Sequence, residues 1–69
     1  LFRKGEKAMI KEYDVVKTLV EKSGFKAGTE GVVVSIYADK KACEVEVWDD
    51  EKYPVDVITF SLDELEKVK

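Results

Sequence analysis

Val32-Val33-Val34-Ser35-Ile36-Tyr37, then Ala38-Asp39-Lys40-Lys41, then Ala42-Cys43-Glu44-Val45-Glu46-Val47-Trp48, is the stretch on which the fold turns. The first run is crowded with β-branched and aromatic residues and reads as a strand. The last run alternates apolar and acidic residues with period two, which marks a strand with one buried face. Two strands joined by so short a link form an antiparallel hairpin. In the second of them the alternation sends Cys43, Val45 and Val47 toward a core and Glu44, Glu46 and Trp48 to the opposite face.

Working outward, Tyr13-Asp14-Val15-Val16-Lys17-Thr18-Leu19-Val20 reads as an earlier strand, broken by Glu21-Lys22-Ser23-Gly24. Phe25 is a lone apolar anchor between two turn signals. Lys26-Ala27-Gly28-Thr29-Glu30-Gly31 is the second turn, where glycine supplies positive φ. Downstream, Asp49-Asp50-Glu51-Lys52-Tyr53-Pro54 is an acidic turn and Val55-Asp56-Val57-Ile58-Thr59-Phe60 a fourth strand. Ser61-Leu62-Asp63-Glu64 matches a capping box and opens a helical turn over about residues 61–66. Val68 begins a last short strand. Four or five short strands with one terminal helical turn describe an all-β fold, a small antiparallel barrel. Its expected core is Val15 or Val16, Leu19, Val32 and Val34 or their alternates, Ile36, Cys43, Val45, Val47, Ile58 and Leu65. Tyr13 and Tyr37 are expected to pack their rings and expose only the hydroxyl. Residues 13–69 form the single domain, and residues 1–12 an N-terminal extension that is flexible or pairs along an edge. Met9 is read as a natural start, with residues 1–8 upstream of it.

The succession Tyr13-Asp14-Val15-Val16, Lys26-x-Gly28-x-x-Gly31-Val32-Val33, Glu44-Val45-Glu46-Val47 and Ser61-Leu62-x-x-Leu65 resembles the SH3-like barrels. More narrowly, it is similar to a bacterial family of short uncharacterised domains of that fold. The likeness spans residues 13 to 68. It implies an SH3-like antiparallel barrel and no assigned activity. Through Lys26, Gly28, Gly31 and Val32 to Val34 there is a looser resemblance to the barrels of ribosomal and transcription-factor modules.

Composition narrows the function. The chain has 69 residues, 39% of them charged, with one Cys and no His. A domain of this size buries only about 60% of the surface its unfolded chain exposes, too little for a deep water-excluding cleft. Without His, the commonest general base and zinc ligand is missing. A single Cys forms no internal disulfide, which fits an intracellular or at least redox-indifferent chain. No apolar stretch suits a membrane span or a signal peptide, so the cytoplasm is the expected location. Residues 1–41 carry nine Lys/Arg against six Asp/Glu, and residues 42–69 three Lys against nine Asp/Glu, so the halves stand at +3 and −6. A nucleic-acid binder usually shows a clear basic surplus. The acidic second half instead points either to simple solubility or to a surface that attracts a basic partner.

The candidate motifs sort on the same grounds. Gly28-Thr29-Glu30-Gly31 precedes a valine strand and not the helix N-terminus a phosphate loop requires, so it is an inter-strand turn. Cys43, on the apolar face with Val45 and Val47, is a core residue. Asp49-Asp50-Glu51 with Asp56 lacks the spacing that wraps a chain around Ca²⁺, and no metal or cofactor is expected. Trp48 is different. An outward Trp is a candidate interface anchor, although a bulge at the strand end would turn it inward. Tyr53 extends the patch, Asp49, Asp50 and Glu51 give it a charged rim, and Glu44 and Glu46 share its face. The function expected is a non-enzymatic protein-binding module, in one form an immunity or antitoxin-like protein masking a basic partner. The alternatives are a nucleic-acid-binding barrel using Lys17, Lys22, Lys26, Lys40 and Lys41, and a homo-oligomer that buries Val32, Val33 and Val34 between copies.

Overall fold

A computed structural model describes residues 9–68, and the hairpin read above is its centre. The strands are β1 (Val15–Thr18), β2 (Glu30–Ile36), β3 (Ala42–Trp48), β4 (Pro54–Ser61) and β5 (Leu65–Lys67), with a 3₁₀ turn at Leu62–Glu64. All pairings are antiparallel, in the order β4-β3-β2-β1-β5. The all-β class, the strand number and the terminal helical turn are those expected of a small SH3-like barrel. No helix among the described residues is long and apolar enough to cross a membrane.

The core is Val16, Val33, Cys43, Val45, Val47, Ile58, Phe60 and Leu65, with Ile10, Val20, Phe25, Ile36 and Leu62 packed against it. In β3 the expected phase holds, with Cys43, Val45 and Val47 all fully buried. In β2 strict alternation fails for a local reason. Val33 pairs with Val45 but Ser35 with Glu44, which leaves Val34 as an extra residue. This bulge lets Val33 and Ile36 both face the core across an odd interval. Of the expected pair Val32 and Val34 or their alternates, it is the alternate, Val33, that is buried, and Val32 and Val34 are only half-buried.

Other expectations are corrected. β1 is shorter than residues 13–20, and its inward positions are Val16 and Thr18, so Leu19 points outward and is 44% exposed. Thr18 is tolerated inside because Lys26 O accepts from its hydroxyl at 3.3 Å while the hydroxyl oxygen accepts from Thr29 N–H at 3.2 Å. Tyr13 is 73% exposed and Tyr37 is 42% exposed, so neither ring is packed away. Phe60, left out of the expected core, is buried because β4 alternates in phase with Ile58. The helical turn is three residues long, and Leu65 opens β5 where Val68 was expected to. Gly31 is not a turn residue. It lies in β2 opposite Val47, where a Cβ would stand 2.4 Å from the carbonyl oxygen of Glu46. Gly28, at φ +93°, does serve its turn as expected. Of the segment 1–12, residues 1–8 lie outside the described residues, and Ile10 packs against the core.

One side chain closes the gap between the sheet's two edge strands. Lys22 and Phe25 exchange backbone hydrogen bonds of 3.0 and 2.9 Å across Ser23 and Gly24, both at positive φ, as in a tight hairpin turn. The turn aims the Lys22 ammonium over the Phe60 ring, 4.8 Å from its centroid. There it donates to Thr59 O of β4 at 3.1 Å and to Glu64 Oε1, just before β5, at 2.8 Å. Glu64 also accepts from Ser61 N–H at 3.0 Å. Lys22 first and this amide second hold the Glu64 carboxyl below its ordinary value. Asp56 Oδ1 accepts from Val57 N–H at 2.8 Å. Charged side chains thus meet backbone groups of Val57, Thr59 and Ser61 in turn, which blunts an edge strand that would otherwise invite a foreign strand.

Candidate groove at Trp48

β3 ends at Trp48, and the chain reverses through a turn organised by Asp49. Asp49 N–H donates to Tyr53 O at 2.9 Å and Lys52 N–H to Asp49 O at 2.9 Å. The Asp49 carboxylate accepts from Glu51 N–H at 2.9 Å and from Tyr53 N–H at 3.0 Å. These bonds fix the left-handed conformation of Lys52, at φ +69°. Val47 pairs with Asp56 but Trp48 with Pro54, so Val55 is bulged out of β4 beside the Trp. Trp48 is half-buried and lies outside the core cluster.

The opposite wall is the loop before β2. Gly28 N–H donates to Thr18 O at 2.7 Å, and Thr29 donates to Lys26 O through its hydroxyl at 2.6 Å and its amide at 3.2 Å. With the Thr18 hydroxyl, these bonds anchor the loop to β1. Between loop and turn runs an open groove of about 550 Å³, with Phe25, Lys26 and Glu30 on one side and Trp48, Asp49, Asp50 and Lys52 on the other. Lys52 bridges it. Its ammonium forms an ion pair with Glu30 and stands 5.8 Å from the centroid of the Trp48 ring, within cation–π range. The hydrogen bond from Lys52, reinforced by its charge, holds the Glu30 carboxyl below the usual carboxylate range.

The expected site residues therefore separate. Trp48, Asp49 and Asp50 line the groove, while Glu51 is an exposed turn residue outside the lining and Tyr53, 64% exposed, follows it. Asp49 is occupied with the turn and is not a free rim charge. Glu46 lies on the outer face, paired with Val32 on one side and Val57 on the other. Glu44 belongs to another cluster further along that face, where its Oε2 accepts from the Tyr37 hydroxyl and, at 3.0 Å, from Thr59 Oγ1.

The residues missed were Glu30 and Lys52. The sequence carries no direct signal for either: the register that pairs Gly31 with Val47, and so carries Glu30 toward Trp48, is offset by the bulge at Val34. Cys43 is fully buried, and burial first, then the nearby Glu44 carboxylate, pushes its thiol pKa up. That is the opposite of what an activated nucleophile requires.

A second groove, of about 720 Å³, is lined by Met9, Ile10, Ile36, Tyr37, Lys40 and Leu62 among others. Since β2 runs from Glu30 at one groove to Ile36 at the other, the two lie about 20 Å apart along the strand. What the Trp48 groove offers chemically is an aromatic face, carboxylates beside it and a fixed backbone on both walls, the elements of a recognition surface. No protein-family model, curated protein or solved structure matches this chain.

Proposed function

We propose that the domain is a non-enzymatic binding module of the cytoplasm that docks a basic protein, with Trp48 as apolar anchor and Asp50 and Glu51 as charged rim. One form this takes is an immunity or antitoxin-like protein that masks a cationic surface. This reading takes up the resemblance of its motifs to those of the short SH3-like bacterial domains. The observation that carries it is the position of Trp48: half-buried, outside the core, in an open groove with Asp50 beside it. A large aromatic side chain in such a place contributes little to the barrel and much to a contact.

The nucleic-acid alternative draws less support. Lys22 is bound to Glu64 and Thr59 O, and Lys17 lies 3.9 Å from Glu66. Lys26 lines one groove and Lys40 the other. These cations are spread over the barrel and do not form the continuous stripe that neutralises a phosphate backbone.

Selection of a random displayed-peptide library on the immobilised protein tests the proposal. Enriched peptides should combine Lys or Arg with an apolar residue. On those peptides Trp48→Ala should raise the off-rate, whereas Asp50→Asn with Glu51→Gln should lower the on-rate at low salt. Enrichment of acidic peptides, or binding indifferent to Trp48→Ala, contradicts it.

A further inference from the structure

Resting on the reading of the Trp48 groove as a docking site for a basic protein, we infer that the groove is a receptor for one arginine side chain of the partner, and that Lys52 is an internal competitor for that place. The chain already shows what the site recognises. A cation of its own lies against the Trp48 ring and pairs with Glu30, two groups brought together from different strands. Glu30, a carboxylate already ionised at neutral pH, is the anionic partner of that cation. The Lys52 side chain is 63% exposed, and among the described residues its ammonium has no other hydrogen bond, ion pair or cation–π contact beyond these two. Such an exposed ammonium is readily displaced.

Arginine suits the place better than lysine does. Its planar guanidinium stacks on an indole face while its edge donates two parallel hydrogen bonds to a carboxylate. Lys52 satisfies both groups with a single point charge, at the far limit of cation–π distance from the ring. The groove is open, its loop wall is tied down, and Asp50 supplies further negative charge at its margin. Docking therefore exchanges one cation for another, and the intramolecular pair sets a threshold that a weakly basic surface does not cross.

The test uses the full chain and two peptides, acetyl-Gly-Gly-Arg-Gly-Gly-amide and its citrulline counterpart, which keeps the shape without the charge. Trp48 is the only tryptophan, so its fluorescence and its indole N–H resonance report on the groove alone. Lys52→Ala should bind the arginine peptide about fivefold more tightly than the parent chain, since one cation–π contact and one exposed ion pair no longer compete. The citrulline peptide should not bind. Adding Glu30→Gln to Lys52→Ala should remove the gain. Lys52→Asn, whose side chain tolerates the positive φ, should behave as Lys52→Ala and guards against a turn defect. Equal or weaker binding by both Lys52 variants, equal binding of citrulline, or no binding at all overturns the inference. If a library-selected basic peptide still loses affinity with Trp48→Ala while Lys52→Ala leaves it unchanged, the competitor falls and the docking site stands. If Trp48→Ala has no effect either, both fall.

Discussion

Gly31→Ala should destabilise the domain by about 1–2 kcal/mol, and the reason is steric. The added methyl would lie 2.4 Å from Glu46 O, 3.0 Å from Val45 Cγ1 and 3.0 Å from Val47 Cα. A carbon prefers roughly 3.3 Å or more from a carbonyl oxygen, so β2 and β3 must separate by almost 1 Å at this point. Neither strand yields easily, because β3 is held on its other side along the whole of β4 and Val33 is locked against Val45. Overpacking of this kind costs about 1–3 kcal/mol, and the entropy removed from the unfolded chain returns about 0.4–1 kcal/mol. For a domain of this size a net loss of 1–2 kcal/mol lowers Tm by roughly 4–16 °C. Gly28 provides the contrast. Nothing lies within 4 Å of its Cβ position, and its φ is +93°. At Gly28 the conformation is the obstacle, so asparagine should be better tolerated than alanine. At Gly31 asparagine should be worse than alanine. Urea titrations followed by Trp48 fluorescence and circular dichroism give all four values. A neutral Gly31→Ala, or the same order of preference at both sites, would refute the argument that close strand approach selects glycine at position 31.

Val45→Asp places a carboxylate at a fully buried position flanked by Gly31, Val33 and Ile58; a loss of several kcal/mol exceeds the roughly 3–5 kcal/mol such a core supplies. The far-UV spectrum should be that of an unfolded chain. Glu64 has its carboxyl lowered from 4.5 in the folded state, so its stabilisation is complete above that value and is lost as pH falls through the lowered one. Lys22→Met should cost about 1 kcal/mol at neutral pH and flatten the acid limb of the stability curve measured by urea midpoints between pH 2 and 6. Cys43, buried with its thiol pKa raised, should resist maleimide labelling in the native protein and react at once in urea.

What the sequence disclosed and what it concealed follow from the range of the interactions involved. β3 was legible to the residue because Cys43 to Trp48 alternate without exception, and the turn at Asp49 is announced by its own side chain. The β2 face was not legible. Three consecutive valines carry no phase, and the bulge at Val34 that lets Val33 and Ile36 share the core is a property of pairing with β3. Leu19 reads as core from its neighbours, yet β1 ends one residue earlier, where Thr18 finds polar partners in a loop eight to eleven residues away. Gly31 looked like a turn glycine because the sequence does not show which atoms stand across from a missing Cβ. In the candidate site, Trp48 and its acidic neighbours are contiguous and were visible. Glu30 reaches them only through the hairpin, and Lys52, embedded in an acidic turn, gave no sign that it crosses back over the ring.

The claim that this groove recognises a cationic partner is tested most directly by mapping amide and indole resonances of the ¹⁵N-labelled chain against two probes, an arginine-rich peptide and a single-stranded RNA oligonucleotide of matching charge number. The account predicts that the peptide shifts the Trp48 indole N–H together with the amides of Lys26–Glu30 and Asp49–Lys52, that the shifts vanish in Trp48→Ala while the rest of the spectrum stays dispersed, and that the RNA leaves them in place. Shifts confined to Lys17, Lys40 and Lys41 on adding RNA, with the Trp48 indole unmoved by the peptide, would contradict it.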